Sequence, residues 1–525
     1  MNGGIKFLLV GLLNLFVVSS FAQEQGSAPP KGTTVHLEHA DILFFDREIK
    51  VDAQILRGNV RFRHDSSYMY CDSAYYYETD NSLEAFSNVR MEQGDTLFVY
   101  GDYLLYNGDT QLARLRKNAR MVNNQVTLYT DSLNYDRFAN LGYYFGGGRI
   151  VDEENELSSL YGQYSPNTKW AFFKDSVELD NPQFILYSDT LNYSTESKIA
   201  IILGPSVIVS DSGTIHTSNG WYDTVNNKSL LLDQSRVFFG DKILTGDSIA
   251  YNQRIGIGEA FGRMNLQDTT RRVILEGNYG YYNELTEYAF ATDNARFLEF
   301  SDGDTLYLHA DTLEMFTIDS AYREIKAFHG VRFYRTDLQG VCDSMLFNTR
   351  DSILYMFYDP ILWNEQYQML GDTIFVYMND STINYAHVKE YAFAIQHVDS
   401  TYYNQLKGKD LKAHFEGQFL KRIDVTGNAE SIYYPMEGDG TKIGMNDSKS
   451  SSLTILLKDG LFDQLIWREN AINNLTPIPD LTPEQKTLRD FKWYDSLRPK
   501  DKDDIFRVDK KEEQDMPRRS NIFVH

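Results

Sequence analysis

An aspartate returns along this chain at a steady interval. It stands at Asp41, Asp72, Asp102, Asp131, Asp189, Asp247, Asp311, Asp343 and Asp372, and Leu160, Ser218 and Asn278 fill the places between. Consecutive positions lie 29 to 33 residues apart, with every step from 102 to 247 equal to 29. Paired carboxylates serve glycan-cleaving enzymes as acid, base or nucleophile. Such an enzyme needs an exposed carboxylate cluster that breaks the repeat, and none is found. A carboxylate at the same bend of every unit has a simpler use, accepting hydrogen bonds from nearby backbone N–H groups. No catalytic residue is therefore assigned.

Other residues able to do chemistry are sparse. His36 and His39 could hold a metal only with further ligands, and none is suitably spaced. Gly146-Gly147-Gly148 lacks the spacing of a nucleotide-binding fingerprint and reads as a bend or bulge. No serine elbow or paired-cysteine zinc pattern occurs. Neither a metal nor a cofactor is expected.

The repeat also dictates the elements. In Asp131-Ser132-Leu133-Asn134-Tyr135, Leu133 and Tyr135 share one face while Ser132 and Asn134 share the other, the period of a half-buried strand. An aromatic slot follows each repeat position by four residues: Phe45, Tyr76, Tyr106, Tyr135, Tyr164, Tyr193, Tyr222, Tyr251 and Tyr282, then Met315, Phe347 and Val376. Turn formers come next, as at Asn107-Gly108, which predicts a tight turn. A second anchor, such as Gly58-Asn59-Val60 or Ser87-Asn88-Val89, marks a bend between copies. Each unit thus makes one pass out and one back. The expected fold is all-β, an elongated β-solenoid of stacked antiparallel strands with about 30 residues per repeat. Cys71 and Cys342 sit at equivalent places nine units apart, so stacking about 4.8 Å per strand keeps them from pairing.

Composition sets the compartment and excludes partners. Lys6 precedes an apolar run from Phe7 to Val18, and Ser20-Phe21-Ala22 supplies small residues for cleavage, so residues 1–22 read as a secretory signal peptide. No cysteine follows that run to suggest a lipid anchor. A formal charge of −23 argues against nucleic acid, whose phosphates call for a basic surface. Aromatics make up 14% of the chain, a strand signal rather than a disorder signal. The repeats divide into residues 33–250 and a more degenerate half at 251–475. Residues 476–525 form a tail with a short helix candidate, capped by Thr482 with Pro483 in its first turn, and a charged stretch from Lys500 that reads as disordered.

The alternation of Asp-x-x-x-Tyr-Asp (Asp131 to Asp136) with Gly-Asn-Val (Gly58 to Val60) resembles the OstA/LptA family of lipopolysaccharide-transport proteins, over roughly residues 33–430. The resemblance implies an open, V-shaped β-jellyroll without enzymatic activity, acting in the periplasm as a bridge toward the outer membrane. It implies lipopolysaccharide as ligand, with lipid A acyl chains in an apolar trough. It also implies partners: related β-jellyroll domains at the inner and outer membranes, joined by edge-strand addition. The inward pairs are the trough candidates: Leu43 with Phe45, Leu104 with Tyr106, Leu133 with Tyr135, Leu191 with Tyr193 and Ile249 with Tyr251. This chain is far longer than a simple bridge subunit, lacks the long C-terminal barrel of the family's outer-membrane member, and carries many bulky Tyr in its inward slots. The alternative is a structural or protein-binding β-solenoid of the cell envelope with a filled core.

Overall fold

The computed structural model describes residues 33–508, apart from 301–303, 319–321, 380–381, 418, 438–439 and 459–460. The signal segment at 1–22 lies outside the described residues. Those described form 38 strands and four 3₁₀ turns, with no α-helix. None of their helices is long and apolar enough to cross a membrane. The chain divides into two compact units, Met1–Lys174 and Asp175–His525.

In the first unit, eight long strands follow one another: Gln54–His64, Ser67–Tyr77, Ser82–Gln93, Leu97–Asn107, Leu112–Asn123, Val126–Asp136, Leu141–Asp152 and Asn155–Ser165. Each pairs antiparallel with the next. Tight turns such as Asp65-Ser66 and Asn124-Gln125 alternate with four-residue turns at 78–81, 108–111 and 137–140. Asn107-Gly108 therefore opens a four-residue turn rather than a two-residue one. The Asn107 side chain organises it, accepting from the Thr110 N–H at 2.8 Å, and Gln111 closes it in the left-handed region at φ 55°.

Every long strand bends at its middle. The register slips between Phe86 and Val89 against Gly101 and Tyr103, so Ser87-Asn88 faces the single residue Asp102. Lys117-Asn118 likewise faces Asp131. Two residues opposed to one make a β-bulge, which kinks and twists the strand. Asn59, Asn88 and Asn118 occupy these corners at φ 46°, 51° and 49°, a conformation asparagine tolerates better than most residues. Their amides donate to the repeating aspartates: Asn59 to Asp41 at 2.9 Å, and Asn88 to Asp72 and Asn118 to Asp102 at 2.7 Å. Asp131 also accepts from the Asn118 backbone N–H at 3.1 Å. The periodic carboxylates thus hold a column of corners, mostly through asparagine side chains. The bent strands stack into two walls that meet at this column.

The second unit repeats the plan with the bends widened into breaks. Phe184–Ser194 pairs with two short strands, Ile199–Ile202 and Ser206–Ser210, separated by Leu203-Gly204-Pro205. Proline lacks the N–H a continuous ladder would need. Long bulged strands return at Ile257–Asp268 and again from Thr382 onward. After Ile472–Pro477 the chain forms no further strand among the described residues. Thr482 and Gln485 form a capping box, but the helix is one 3₁₀ turn, Pro483–Lys486. Of the charged stretch from Lys500, residues 500–508 are described and Ile505 there is fully buried, while the rest lies outside the described residues. Cys71 and Cys342 are both free and buried.

Candidate binding interior

The alternation of each strand sends one set of side chains between the walls. Leu104, Tyr106, Leu133 and Tyr135 lie there in the first unit, and Leu191, Tyr193, Ile249 and Tyr251 in the second; all are buried. Leu43 and Phe45 do not join them, being 50% and 68% exposed. Leu43 belongs to Ile42–Phe44, which pairs on one side only, with Gln54–His64. Among the described residues no outer layer covers it, and Phe45 already lies in the loop beyond.

The tyrosines fill the interior of the first unit and also tie its two rims together. Their hydroxyls reach residues 41 or 42 positions earlier, at the strand ends of the opposite wall. Tyr106 Oη lies 2.6 Å from His64 Nδ1. Tyr135 donates to Gln93 Oε1 at 2.7 Å. Asn123 Nδ2 donates to Tyr164 Oη at 3.5 Å. Tyr76 does the same at the first layer, donating to the Val35 carbonyl at 2.6 Å. One offset recurs because each hydroxyl spans the mouth between the two rims, about one and a half repeats apart in sequence. Arg137 strengthens one bridge, donating to Tyr106 Oη at 2.5 Å and to the His64 carbonyl at 3.3 Å.

Burial fixes the protonation of this seal. It pushes the phenols of Tyr106 and Tyr135 up, so both stay neutral donors. It also pulls the His64 imidazole down, helped by neighbouring Arg137 and opposed by Asp65, so His64 stays neutral near pH 7.

The second unit seals differently. Lys242, nearly buried, stands 3.2 Å from Asp241 and 3.8 Å from Glu287. Arg271 pairs with Asp268 at 3.2 Å and Glu287 at 3.6 Å. Further on, Met315, Phe347 and Val376 occupy the aromatic slot. There a cavity of about 100 Å³ opens, lined by Phe297, Leu308, Phe333, Met345, Phe347 and Leu354, with Glu299 and Arg335 also on its wall. Burial raises the carboxyl of Glu299. The rim bridges and this cavity escaped the sequence reading. The constant offset of about 42 from Tyr to a polar strand-end residue would have revealed the bridges.

The described residues hold no cluster of His, Cys, Asp or Glu able to bind a metal. The architecture is that of stacked, bent antiparallel strands around an apolar interior. Residues 32–189 match the model of the OstA-like protein family. No curated protein matches. Among solved structures, the chain is similar to the crystal structure of LptH, the LptA-homologous periplasmic component of the conserved lipopolysaccharide transport device from Pseudomonas aeruginosa. Identity is 12%, coverage is 20% of this chain and 79% of that one, and the TM-score is 0.19.

Proposed function

We propose that this protein is a non-enzymatic component of lipopolysaccharide transport in the periplasm, a bridge toward the outer membrane with acyl chains carried between its walls. One observation carries the reading: the OstA-like match at 32–189 coincides with a stack of bent strands whose inward face is apolar from layer to layer. The mechanism needs no bond-making. Each methylene leaving water contributes about 0.8 kcal/mol, whereas each tyrosine bridge across the mouth contributes about 1 kcal/mol. An acyl chain of about a dozen methylenes therefore outweighs the few bridges it must part. The corner column is the hinge about which the rims separate. The strands His36–His39 and Ile42–Phe44 pair only with Gln54–His64 among the described residues. That free edge, flanked by exposed Ile42, Leu43 and Phe45, suits strand addition by a related β-jellyroll domain.

The bridged mouth of the first unit favours a second reading, a filled envelope scaffold that binds protein alone. Photo-crosslinking residues at Leu133 and Leu191 decide between them in cells making lipopolysaccharide. Asn134, on the outward face, is buried beneath Arg116, so exposed Tyr129 on the same strand serves as the control. Capture of the lipid at the inward positions, and not at Tyr129, supports carriage. Protein adducts without lipid favour the scaffold.

A further inference from the structure

The register of the second unit places Gln339 opposite Trp363, Trp363 opposite Gln368, Gln368 opposite Ile395, Ile395 opposite Gln405 and Gln405 opposite Ile432. Directly opposed residues share a face. Their strand neighbours, such as Leu338 beside Gln339, point to the interior and line its cavity. The row therefore lies on the outer face of the wall. Outward residues of the first unit, such as Arg61, Arg90 and Arg120, are exposed. These six are at most 3% exposed, because the chain's own C-terminal segment lies over them.

The way that segment is held is specific. Gln405 Nε2 donates to the Lys486 carbonyl at 2.9 Å, and its Oε1 accepts from the Leu488 N–H at 2.8 Å. Gln368 repeats this six residues on, with the Lys492 carbonyl at 2.9 Å and the Tyr494 N–H at 2.8 Å. Each glutamine amide thus grips the carbonyl before and the N–H after one residue, as a neighbouring strand's peptide group would. Such contacts read an extended backbone and are blind to side chains. Selectivity comes from what packs between them. Leu488 is buried in a cluster with Phe393, Ile395, Ile432, Tyr434 and Met445, against which Phe491 and Trp493 also pack. Trp493 stacks on His397 at 5.7 Å. Arg498 then places two guanidinium nitrogens on Gln339 Oε1, at 2.8 and 2.5 Å.

We propose that this outer row is a docking groove for a peptide, that the C-terminal segment is its resident occupant, and that a partner segment of the same pattern displaces it. The pattern is a stretch with Leu, Phe, Trp and Arg at the spacing of 488, 491, 493 and 498, with tight turns closed by the Phe491 N–H on the Leu488 carbonyl and the Leu497 N–H on the Tyr494 carbonyl. Among the described residues the occupant makes no strand pairing of its own, and it leaves the paired strand Ile472–Pro477 through the 3₁₀ turn Ile478–Asp480.

The test uses the full chain and a labelled synthetic peptide of residues 481–507. Substituting Leu488→Asp and Trp493→Asp in the chain loosens the resident segment and leaves the groove intact. That variant should bind the peptide at least about tenfold more tightly than the wild type. Adding Gln368→Ala and Gln405→Ala should remove the gain, and a peptide carrying Trp493→Asp should not bind. Hydrogen exchange in Thr382–His397 reports on the wall. Failure of the loosened variant to bind with that strand still protected overturns the proposal. So does equal binding by wild type, which places the site elsewhere. Loss of protection in that strand alongside the segment also overturns it, since the segment would then be part of the wall's own fold.

Discussion

The first unit ties its rims mainly through tyrosine hydroxyls, with Arg137 joining one of them, whereas ion pairs stand at the rim of the second. Tyr76, Tyr106, Tyr135 and Tyr164 fill the space between the first unit's walls and end in hydroxyl bridges at its mouth. In the second unit Lys242, Asp268, Arg271 and Glu287 stand at the rim, and the slot farther along carries Met315, Phe347 and Val376. A phenol is both wedge and donor, so it packs and seals at once. Methionine and valine only pack, so the sealing passes to other residues and a cavity is left beside Phe347. One repeat plan thus yields a solid stretch and a looser one, according to what fills a single slot.

The sharpest way to break this contrast is to truncate the slot in each unit. Tyr135→Ala should cost about 3–5 kcal/mol, the usual penalty for deleting a large, fully buried aromatic side chain. Phe347→Ala should cost less than half as much, because its ring already borders empty space. Denaturant unfolding followed by hydrogen exchange in Val126–Asp136 and Leu338–Asn348 separates the two. Equal losses would mean that the slots are packed alike and that the contrast is false.

Much of this was legible before any coordinates. Period-two alternation and the 29-residue step are local properties of the chain, and they dictated antiparallel stacked strands. The corner asparagines at 59, 88 and 118 could be read as bends, since few residues accept positive φ. The inward Leu and Tyr pairs from 104 to 251 followed from the same alternation. What escaped depends on contacts between layers. Leu43 and Phe45 obey the pattern, yet the pattern cannot say that a first layer lacks an outer neighbour. The rim bridges join residues about 42 apart, longer than one unit, so no single repeat displays them. The stretch from Lys500 looked disordered because what holds its described part, such as His309 against Phe506, lies far earlier in the chain.

A second effect, smaller than truncation, is set by pH. His64 is buried and its pKa is lowered below 6.5, first by burial and then by Arg137, against the pull of Asp65. Well above pH 6.5 the imidazole is neutral in both folded and unfolded chains and makes no difference to stability. As pH falls below 6.5 the unfolded chain takes up a proton that the folded one resists, so the first unit loses stability. Protection of the Gln54–His64 amides should therefore fall between pH 7.5 and 5.5 in the wild type. In His64→Gln, which keeps a polar group at the rim without a titration in this range, the decline should be shallower. An equal decline in both would show that the seal does not depend on neutral His64.

The smallest expected effect separates sealing from filling. Tyr135→Phe keeps the ring that fills the interior and removes only the hydroxyl that reaches Gln93 and Asn140. Gln93 is partly exposed, so water can replace the lost donor, and the cost should be about 1 kcal/mol in denaturant unfolding. The same change should raise lipid capture by a crosslinker at Leu133, because one tie across the mouth is gone while the apolar wall is unchanged. If stability falls by about 1 kcal/mol with no change in capture, then the bridges hold the walls together without controlling entry. Carriage in the first unit would then depend on displacement of the tyrosine rings themselves, a far larger barrier than parting their hydroxyls.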